Sequence, residues 1–470
     1  MVVGELTREV DLLVIGAGPG GYVAACAAAD AGLQATLVES AEVPGGVCLR
    51  EGCIPSKTLL YVTGIIDHAT GAEKYGVAFG PPQIDIAKLR SWKNGVIRKL
   101  ALGVKTLLAG RHVDYINARA VFESSDTARV EGEPPARIRF RHCILATGSV
   151  PKMLPESLLP RDACWDAADA LKVEEVPKRL LVVGGGYIGL ELGQVYAVLG
   201  SEVTVVEMLD NVLTGLDPEL AKPLLTRLGK QMKAIHTSTT FKHAERQGSQ
   251  VAVTFEKDGQ ARTEEFDRVL VSVGRRPNTA GIGLERTRVQ IGKDGFIIVD
   301  GQRRTSDRRI FAIGDLTGNP MLAHKAMSEA KVAVQAIAGK PAQFEPACVP
   351  AVVYTDPEVA SCGITEPEAV AQKLNVKVTK FPWIGSGRAV SMGRTDGLTK
   401  MVFDNQTQRL LGVGIVGAHA GDLISEGVLA MEMAATAEDI ATAIHPHPAT
   451  SETLGEAAAA MFGKAIHGTH

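Results

Sequence analysis

The sequence predicts an α/β fold with two Rossmann-like nucleotide-binding domains, followed by a C-terminal α+β domain. A pattern of apolar strand, glycine-rich turn, helix and strand occurs twice, at residues 10–40 and 179–208. After about residue 347 the chain changes to a hairpin-rich pattern without a glycine motif. Because 470 residues are too many for one ordinary core, we expect several domains.

The first pattern contains the glycines of a dinucleotide-binding turn. Gly16, Gly18 and Gly21 fit G-x-G-x-x-G between a continuous apolar strand and a helix. The first glycine allows the tight turn, the second lets a pyrophosphate approach the backbone, and the third packs helix on strand. The helix N-terminus offers free N–H groups to the phosphates. Glu39 ends the next strand, where its carboxylate can accept a ribose hydroxyl.

The second pattern repeats these features. Gly184, Gly186 and Gly189 form the glycine motif, and Glu207 is the acid that ends the following strand. Because a terminal acid accepts from a free 2′-hydroxyl and repels a 2′-phosphate, this unit is predicted to bind NAD rather than NADP. Two such units indicate two dinucleotides, or one dinucleotide and a flavin.

Three further strands end in glycine turns where backbone can approach a ligand. They lie at Cys143–Ser149, Val269–Asn278 and Ile310–Leu316. Asp315 follows the last of them and suits a ribityl or ribose hydroxyl. An ordinary strand-to-loop turn remains the alternative for each.

Domain limits are placed where proline-bearing segments interrupt the pattern. "SVPKMLPESLLP" separates the nucleotide units, and "GKPAQFEPACVP" precedes the C-terminal part. The stretch around Asp315 is expected to rejoin the first unit, and an Ala-rich helix is expected near 423–436. The predicted parts are 1–150 (first nucleotide domain), 151–277 (second nucleotide domain), 278–346 (return to the first) and 347–470 (C-terminal domain).

Composition excludes several classes of function. The net charge of −3 favours neither nucleic-acid binding nor attachment to an acidic membrane. No segment of the sequence is both as long and as uniformly apolar as a transmembrane helix. The N-terminus lacks the basic start and cleavage site of a signal peptide, and seven cysteines are sparse for a secreted chain. We therefore expect a cytoplasmic protein.

The segment "GGVCLREGCIPSK" places Cys48 and Cys53 five residues apart. A metal site is disfavoured because no second ligand pair has suitable spacing, "HPHP" excepted. A static disulfide is disfavoured because so short a loop constrains the unfolded chain least. A redox couple is the favoured interpretation, and the metal site and the static disulfide remain alternatives.

Geometry constrains this segment. On an ideal helix, residues five apart have Cα atoms roughly 8–9 Å apart, whereas a disulfide needs about 4.4–6.8 Å. The helix must therefore be interrupted, which Gly52 permits. A helix predicted from about Pro55 to His68 would direct its positive end at Cys53 and lower the pKa of that thiol. Lys57 could serve the thiolate or a flavin ring, or be a solvated surface lysine.

A thiol couple also requires a group that moves protons. "HPHPATSE" holds His447 between two prolines, and Glu452 lies five residues later, where it could orient the imidazole. A surface histidine near a helix start is the alternative.

Taken together, these motifs resemble the FAD-dependent pyridine nucleotide–disulfide oxidoreductases, and within them the dihydrolipoamide dehydrogenases. The similar segments are GAGPGG, GGVCLREGCIPSK, ATGS, GGGYIGLELG, GDL, PMLAHKA and HPHPATSE, in the family's order over nearly the whole chain. The cysteine segment is specific for the superfamily, and PMLAHKA with Glu207 points to the lipoamide branch.

The resemblance implies roles for individual residues. Cys53 would be the flavin-proximal sulfur and Cys48 the interchange sulfur. His447, paired with Glu452, would be the acid/base, reaching the disulfide across a homodimer interface, and the His447–Pro448 peptide can be cis. FAD would be contacted by Gly16, Gly18, Gly21, Glu39, Lys57, Ala120, Thr147, Gly148, Gly314, Asp315 and Ala323. NAD would be contacted by Gly184, Gly186, Gly189, Glu207 and Gly274.

The implied activity is oxidation of protein-bound dihydrolipoamide with reduction of NAD⁺, in 2-oxo acid dehydrogenase or glycine cleavage complexes. The partner would be a lipoyl-bearing acyltransferase core or a lipoyl carrier protein. A related FAD-dependent disulfide or metal-ion reductase is one alternative. However, "VEMLDNVL" lacks the basic residues that are usual in glutathione-type reductases, and "AIHGTH" lacks the extra thiol pair of mercuric and large thioredoxin reductases. A non-catalytic flavin-fold subunit is another, although the cysteines, His447 and Glu452 are intact. Arg50, Glu51 and Asp356 depart from the family's usual residues.

Overall fold

The computed structural model describes residues 7–131 and 136–468. Residues 1–6, on which the signal-peptide expectation partly rests, lie outside the described residues. Among the described residues, no helix combines the length and apolarity needed to cross a membrane.

The described residues of the first part of the chain form seven strands and four α-helices. The strands are β1 (Thr7–Ile15), β2 (Ala35–Glu39), β3 (Asp114–Asn117), β4 (Arg119–Ser124), β5 (Thr127–Glu131), β6 (Ala136–Leu145) and β7 (Ser149–Pro151). The helices are α1 (Pro19–Asp30), α2 (Gly46–Glu51), α3 (Cys53–Thr70) and α4 (Ile86–Ala109).

The second part contains nine strands and three α-helices. The strands are β8 (Cys164–Trp165), β9 (Arg179–Val183), β10 (Glu202–Val206), β11 (Ala234–His236), β12 (Thr240–Gln247), β13 (Gln250–Lys257), β14 (Gln260–Phe266), β15 (Arg268–Val271) and β16 (Arg275–Pro277). The helices are α5 (Ala167–Lys172), α6 (Tyr187–Leu199) and α7 (Pro218–Gln231).

The remainder, as far as residue 468, contains six strands and six α-helices. The strands are β17 (Ile310–Ala312), β18 (Ala351–Val353), β19 (Glu358–Gly363), β20 (Val376–Pro382), β21 (Leu398–Asp404) and β22 (Leu410–Gly417). The helices are α8 (Ala323–Ile337), α9 (Glu366–Ala371), α10 (Gly387–Ser391), α11 (Ala420–Glu432), α12 (Ala437–Thr442) and α13 (Glu452–Ala459).

The two glycine motifs each lie at the end of a buried parallel strand. In the first sheet, the order is β3-β2-β1-β6-β5-β4, and β17 pairs with β6 in parallel. The second sheet has the order β11-β10-β9-β15-β8, with every pair parallel. Strands β1 and β9 are the central ones, and their continuous apolar runs fill the cores on both faces. The predicted pair of Rossmann-like units is confirmed.

Two short strands connect the nucleotide units. Strand β7 pairs antiparallel with β16, so Pro151 faces Arg275 and Ser149 faces Pro277. These strands lie at the predicted domain limits, 150/151 and 277/278. The chain therefore leaves and re-enters the first unit through one two-stranded ribbon.

The C-terminal part is an antiparallel sheet with helices on it, as the predicted α+β class requires. The strand order is β18-β19-β22-β21-β20.

Helix α11 begins and ends earlier than the range predicted near 423–436. It starts after His419, which has φ 62°, and cannot continue past Ala434, which has φ 53°. Two residues in left-handed conformation thus fix its limits.

The segment around the two cysteines consists of two helices separated at Gly52. Gly52 has φ −148° and ψ −111°, which interrupts the helix between Cys48 and Cys53 as expected. Helix α3 begins at Cys53, two residues before the predicted start. Pro55 is compatible with this because it lies in the first turn, where backbone N–H groups have no partner in the helix, and the first bond runs from Ser56 N–H to the Gly52 carbonyl.

Candidate functional site

A cavity of about 550 Å³ extends from the first glycine turn to the cysteine pair. It is lined by residues of the first unit, of helices α5 and α6, and of the segment that follows β17. The predicted site residues that line it are Gly16, Gly18, Glu39, Cys48, Cys53, Lys57, Ala120, Thr147, Gly148, Gly314, Asp315 and Ala323. The fold therefore brings together residues separated by three hundred positions in the chain.

The first glycine turn has no room for side chains at two of its positions. Gly16 has φ 101°, and a Cβ there would lie 2.4 Å from the Ala146 carbonyl oxygen. A Cβ on Gly21 would lie 1.7 Å from the Gly16 carbonyl oxygen, so Gly21 packs helix on strand and does not line the cavity. Glu39 closes the turn by accepting the N–H of Ala17 at 2.7 Å. Close packing and this hydrogen bond therefore hold the conformation of the turn.

The second glycine turn reproduces this geometry on the second sheet. Gly184 has φ 107°, and a Cβ on Gly189 would lie 2.2 Å from the Gly184 carbonyl oxygen. Glu207 accepts the N–H of Gly185 at 2.7 Å, as Glu39 does in the first turn. Nothing lies within 4 Å of a Cβ built on Gly186, so the backbone there is open to a ligand.

The residues of the second turn lie outside the cavity. Gly274, predicted to lie beside the same nucleotide, follows β15 with φ 102°. The turn with Gly274 follows the carboxyl end of β15, the strand next to β9. Doubly wound sheets bind their ligands at the carboxyl ends of such strands. Tyr187, the first residue of α6, directly follows Gly186 of the second turn and lines the cavity. Burial raises the pKa of its phenol to about 12, so it stays neutral.

Cys48 and Cys53 are free thiols in this structure and differ in acidity. A hydrogen bond from the Cys48 thiol and the nearby Lys57 cation outweigh the effect of burial, and together they lower the pKa of Cys53 to about 7. The same hydrogen bond, together with burial, raises the pKa of Cys48. The thiolate of the reduced pair therefore resides on Cys53, which begins α3 and benefits from its positive end.

Lys57 is held by an acid that the sequence reasoning missed. Its ammonium lies 2.7 Å from the Glu191 carboxylate and 4.6 Å from the centre of the Tyr354 ring. Glu191 is 2% exposed and also accepts the N–H of Tyr354. Its signal in the sequence is a lone charged residue within the mostly apolar helix α6. Lys57 is therefore not a solvated surface lysine.

Asp315 and Gly314 are fixed by polar contacts at the opposite wall. Asp315 accepts the Ser149 hydroxyl at 2.5 Å, and Ser149 in turn accepts the Arg275 guanidinium at 2.7 Å. The N–H of Gly314 donates to the fully buried carboxylate of Glu329 at 2.6 Å. Glu329 was not predicted, because its role depends on a contact between α8 and a turn that only the fold creates.

His447 and Glu452 form the predicted pair but lie outside the cavity. Nδ1 of His447 lies 2.9 Å from Glu452, and the His447–Pro448 peptide is cis. Partial burial opposes ionisation of Glu452, but hydrogen bonds from the Ala449 N–H and from His447 lower its pKa. The side chain of His447 is 79% exposed, and neither residue lines the cavity. One chain alone does not bring this pair to the cysteines.

Two profiles of one protein family together match most of the chain. Residues 10–330 match the family profile of pyridine nucleotide-disulphide oxidoreductases, and residues 349–458 match the dimerisation domain of the same family. The dihydrolipoyl dehydrogenase of Thermus scotoductus is 46% identical over 98% of this chain and 99% of its own length. That of Vibrio parahaemolyticus is 43% identical over 97% of both chains.

Solved structures agree in fold over the same extent. LpdA from Mycobacterium tuberculosis superposes with a TM-score of 0.88 and 26% identity, covering 96% of this chain and 100% of that one. The Cu(II) complex of the HOCl-induced flavoprotein disulfide reductase RclA from Escherichia coli gives a TM-score of 0.86 at 25% identity. It covers 96% of this chain and 99% of that one.

Proposed function

The chain belongs to the pyridine nucleotide-disulphide oxidoreductase family, and we propose that it oxidises dihydrolipoamide to lipoamide and reduces NAD⁺ to NADH. The observation that carries this proposal is the asymmetric thiol pair at the end of the cavity, with Cys53 acidified beside Lys57. Two thiols of unequal acidity can exchange with a dithiol and pass on two electrons. The identity of 43–46% to dihydrolipoyl dehydrogenases supports the choice of dithiol.

The cavity fits FAD, and the second turn fits NAD. A volume of about 550 Å³ lined by a glycine turn and the Glu39 carboxylate suits a dinucleotide. We propose that Gly16, Gly18 and Glu39 hold the diphosphate and ribose, and that Thr147 and Asp315 hold the flavin half. When bound, FAD supplies a two-electron carrier between the Cys53 thiolate and NAD⁺. Gly184, Gly186, Gly189, Glu207 and Gly274 would hold NAD.

In the proposed exchange, electrons enter through Cys48. A substrate thiolate attacks Cys48 Sγ of the oxidised pair, the Cys48–Cys53 bond breaks, and Cys53 leaves as a thiolate. The second substrate thiolate then attacks the substrate sulfur bound to Cys48, which closes the lipoamide ring and releases Cys48 as a thiol after protonation. Lys57 stabilises the Cys53 thiolate throughout, and Glu191 keeps Lys57 in place.

Each active site is proposed to require two chains. His447 is exposed and lies away from the cysteines of its own chain, and the segment that carries it belongs to the dimerisation domain. In a homodimer, His447 of the partner subunit would take the first substrate proton, with Glu452 holding the imidazole through Nδ1. We further propose a cytoplasmic location and delivery of the dithiol on a lipoyl-bearing acyltransferase core or lipoyl carrier protein.

A steady-state assay of the purified chain tests the proposal. We expect NADH formation from dihydrolipoamide and NAD⁺, with no turnover in the Cys53→Ser variant. Arg141→Gln, which alters an exposed residue of β6 that does not line the cavity, is the matched control and should retain full activity. Turnover with glutathione disulfide, mercuric ion or Cu(II), but not with lipoamide, would reject the proposed substrate and favour a related reductase.

A further inference from the structure

Arg50 lies between the two redox cysteines and is not explained by the thiol chemistry. It occupies the last turn of α2 and lines the cavity. Its Nη1 lies 3.2 Å from Glu51, but its Nε is buried and has no hydrogen-bond partner among the described residues. A buried guanidinium N–H without a partner is costly, so a ligand that fills the cavity is expected to accept from it.

The position of Arg50 on α2 directs it towards the phosphate-binding turn. Gly46 begins α2 one turn before Arg50. Gly46 packs directly on the phosphate-binding turn, since a Cβ built on it would lie 2.5 Å from Gly18 Cα. Helical side chains lean towards the N-terminus of their helix, which for Arg50 is the end of α2 that packs on Gly18.

A second observation places the guanidinium near the adenosine half of the cavity. Burial raises the pKa of the Tyr115 phenol, the charge of Glu39 raises it further, and the charge of Arg50 opposes both. Arg50 and Glu39 therefore lie near the same tyrosine, at the end of the cavity where Glu39 would bind ribose.

The other cations that line the cavity already have partners. Lys57 is paired with Glu191, Arg119 donates to the Gly281 carbonyl oxygen at 2.6 Å, and Arg275 donates to Ser149. Arg50 retains a donor for a ligand. A dinucleotide presents two negative charges at its diphosphate, and the glycine turn offers only backbone dipoles to them.

We propose that Arg50 binds the diphosphate of FAD, with Nε–H donating to a phosphoryl oxygen while Glu51 holds the other side of the guanidinium. This inference rests on the proposed flavin site and adds a residue that binds the cofactor. It also gives the unusual charged residues inside the redox segment a role that does not involve the exchanging thiols.

Release of FAD from the holoenzyme tests the inference without using activity. The diluted wild type is compared with Arg50→Gln, Arg50→Lys and Arg141→Gln, and free flavin is followed by its fluorescence at low and high salt. We expect release about 10-fold faster or more for Arg50→Gln, corresponding to one charge-assisted hydrogen bond. Arg50→Lys should be intermediate, and Arg141→Gln should match the wild type.

Salt dependence identifies the group that is bound. Wild-type release should accelerate with salt, and Arg50→Gln should lose most of that response because it lacks the charge. Equal release rates for wild type and Arg50→Gln, or faster release with an unchanged salt response, would overturn the inference. Because Arg50→Lys keeps the positive charge, it still tests the inference if Arg50→Gln fails to fold. Wild-type protein that purifies without FAD would instead contradict the proposed function.

Discussion

The Lys57 ammonium lies 2.7 Å from the Glu191 carboxylate, and this pair joins helix α3 of the first nucleotide unit to helix α6 of the second. Tyr354, from the C-terminal domain, covers the same ammonium with its ring and donates its N–H to Glu191. All three domains therefore fix one positive charge beside Cys53. The acidity of that thiol is a property of the assembled fold rather than of the cysteine segment alone.

Removal of this charge should make Cys53 less acidic. In the two-electron-reduced enzyme, the Cys53 thiolate is expected above about pH 7 and the thiol below it, because the pKa is lowered to about 7. Lys57→Met should raise that pKa by about one unit or more, since a nearby cation favours the thiolate. Thiolate absorbance recorded against pH measures the midpoint. Lys99→Met, an exposed lysine on α4, should leave it unchanged.

Subunit mixing should show that His447 acts across the dimer. His447→Gln and Cys53→Ser homodimers are both expected to be inactive. In a heterodimer of the two, one site combines an intact cysteine pair with an intact histidine. Random reassociation of equal amounts should then restore about a quarter of wild-type activity, because half of the dimers carry one good site of two. No recovery, with heterodimers verified by mass spectrometry, would place His447 in the site of its own chain.

The second turn should discriminate between nucleotides through Glu207. Its carboxylate is fixed by the N–H groups of Gly185 and Leu209, so it cannot turn away from a 2′-phosphate. We expect kcat/KM for NADH, in lipoamide reduction, to exceed that for NADPH by about 100-fold, a difference of roughly 2.7 kcal/mol. Glu207→Gln should reduce the ratio of the two kcat/KM values, chiefly by raising kcat/KM for NADPH. Equal use of both nucleotides by the wild type would refute the assignment.

A buried lysine should stabilise the contact between the second nucleotide unit and the C-terminal domain. Nζ of Lys400 lies 2.5 Å from Asp217, 2.6 Å from Glu219 and 2.5 Å from Glu366, and its side chain is 3% exposed. Lys400→Met leaves the buried Asp217 carboxylate unpaired and should lower the free energy of unfolding by about 3–5 kcal/mol.

The matched control for that variant is a neighbouring lysine that uses two of the same acids. Lys380 pairs with Glu219 and Glu366 but is 40% exposed, so Lys380→Met should cost less than about 1 kcal/mol. Urea unfolding of the three proteins measures the difference. Similar midpoints for both variants would show that burial of Lys400 adds nothing to the stability of the contact.

Features that depend on local backbone demands were predictable from the sequence. The glycine turns at Gly16 and Gly184 were found because their conformations require glycine and because a strand and a helix flank each of them. The interruption at Gly52 followed from the distance that two bonded cysteines need. The limits of α11 were wrong because they depend on left-handed conformations at His419 and Ala434, and alanine gives no signal for one.

Features that depend on distant partners were not predictable. Glu191 pairs with a lysine 134 positions away, and Glu329 positions Gly314 from another element. Asp356, a departure from the family's usual residue, accepts Arg394 at 2.5 Å and Arg227 at 3.3 Å. It therefore contributes to an ion-pair network between domains rather than to the thiol chemistry. Only the folded chain shows these contacts.

Anaerobic reduction by one equivalent of dihydrolipoamide, without NAD⁺, tests most directly whether electrons enter through the Cys48–Cys53 pair. The wild type should gain two alkylatable thiols per chain and a long-wavelength thiolate–flavin absorption band that disappears below about pH 7. Cys48→Ser, with no disulfide to attack, should not respond to the dithiol. A wild type that develops the band with NADH but not with dihydrolipoamide, or a Cys53→Ser variant that still shows the band, would contradict the account.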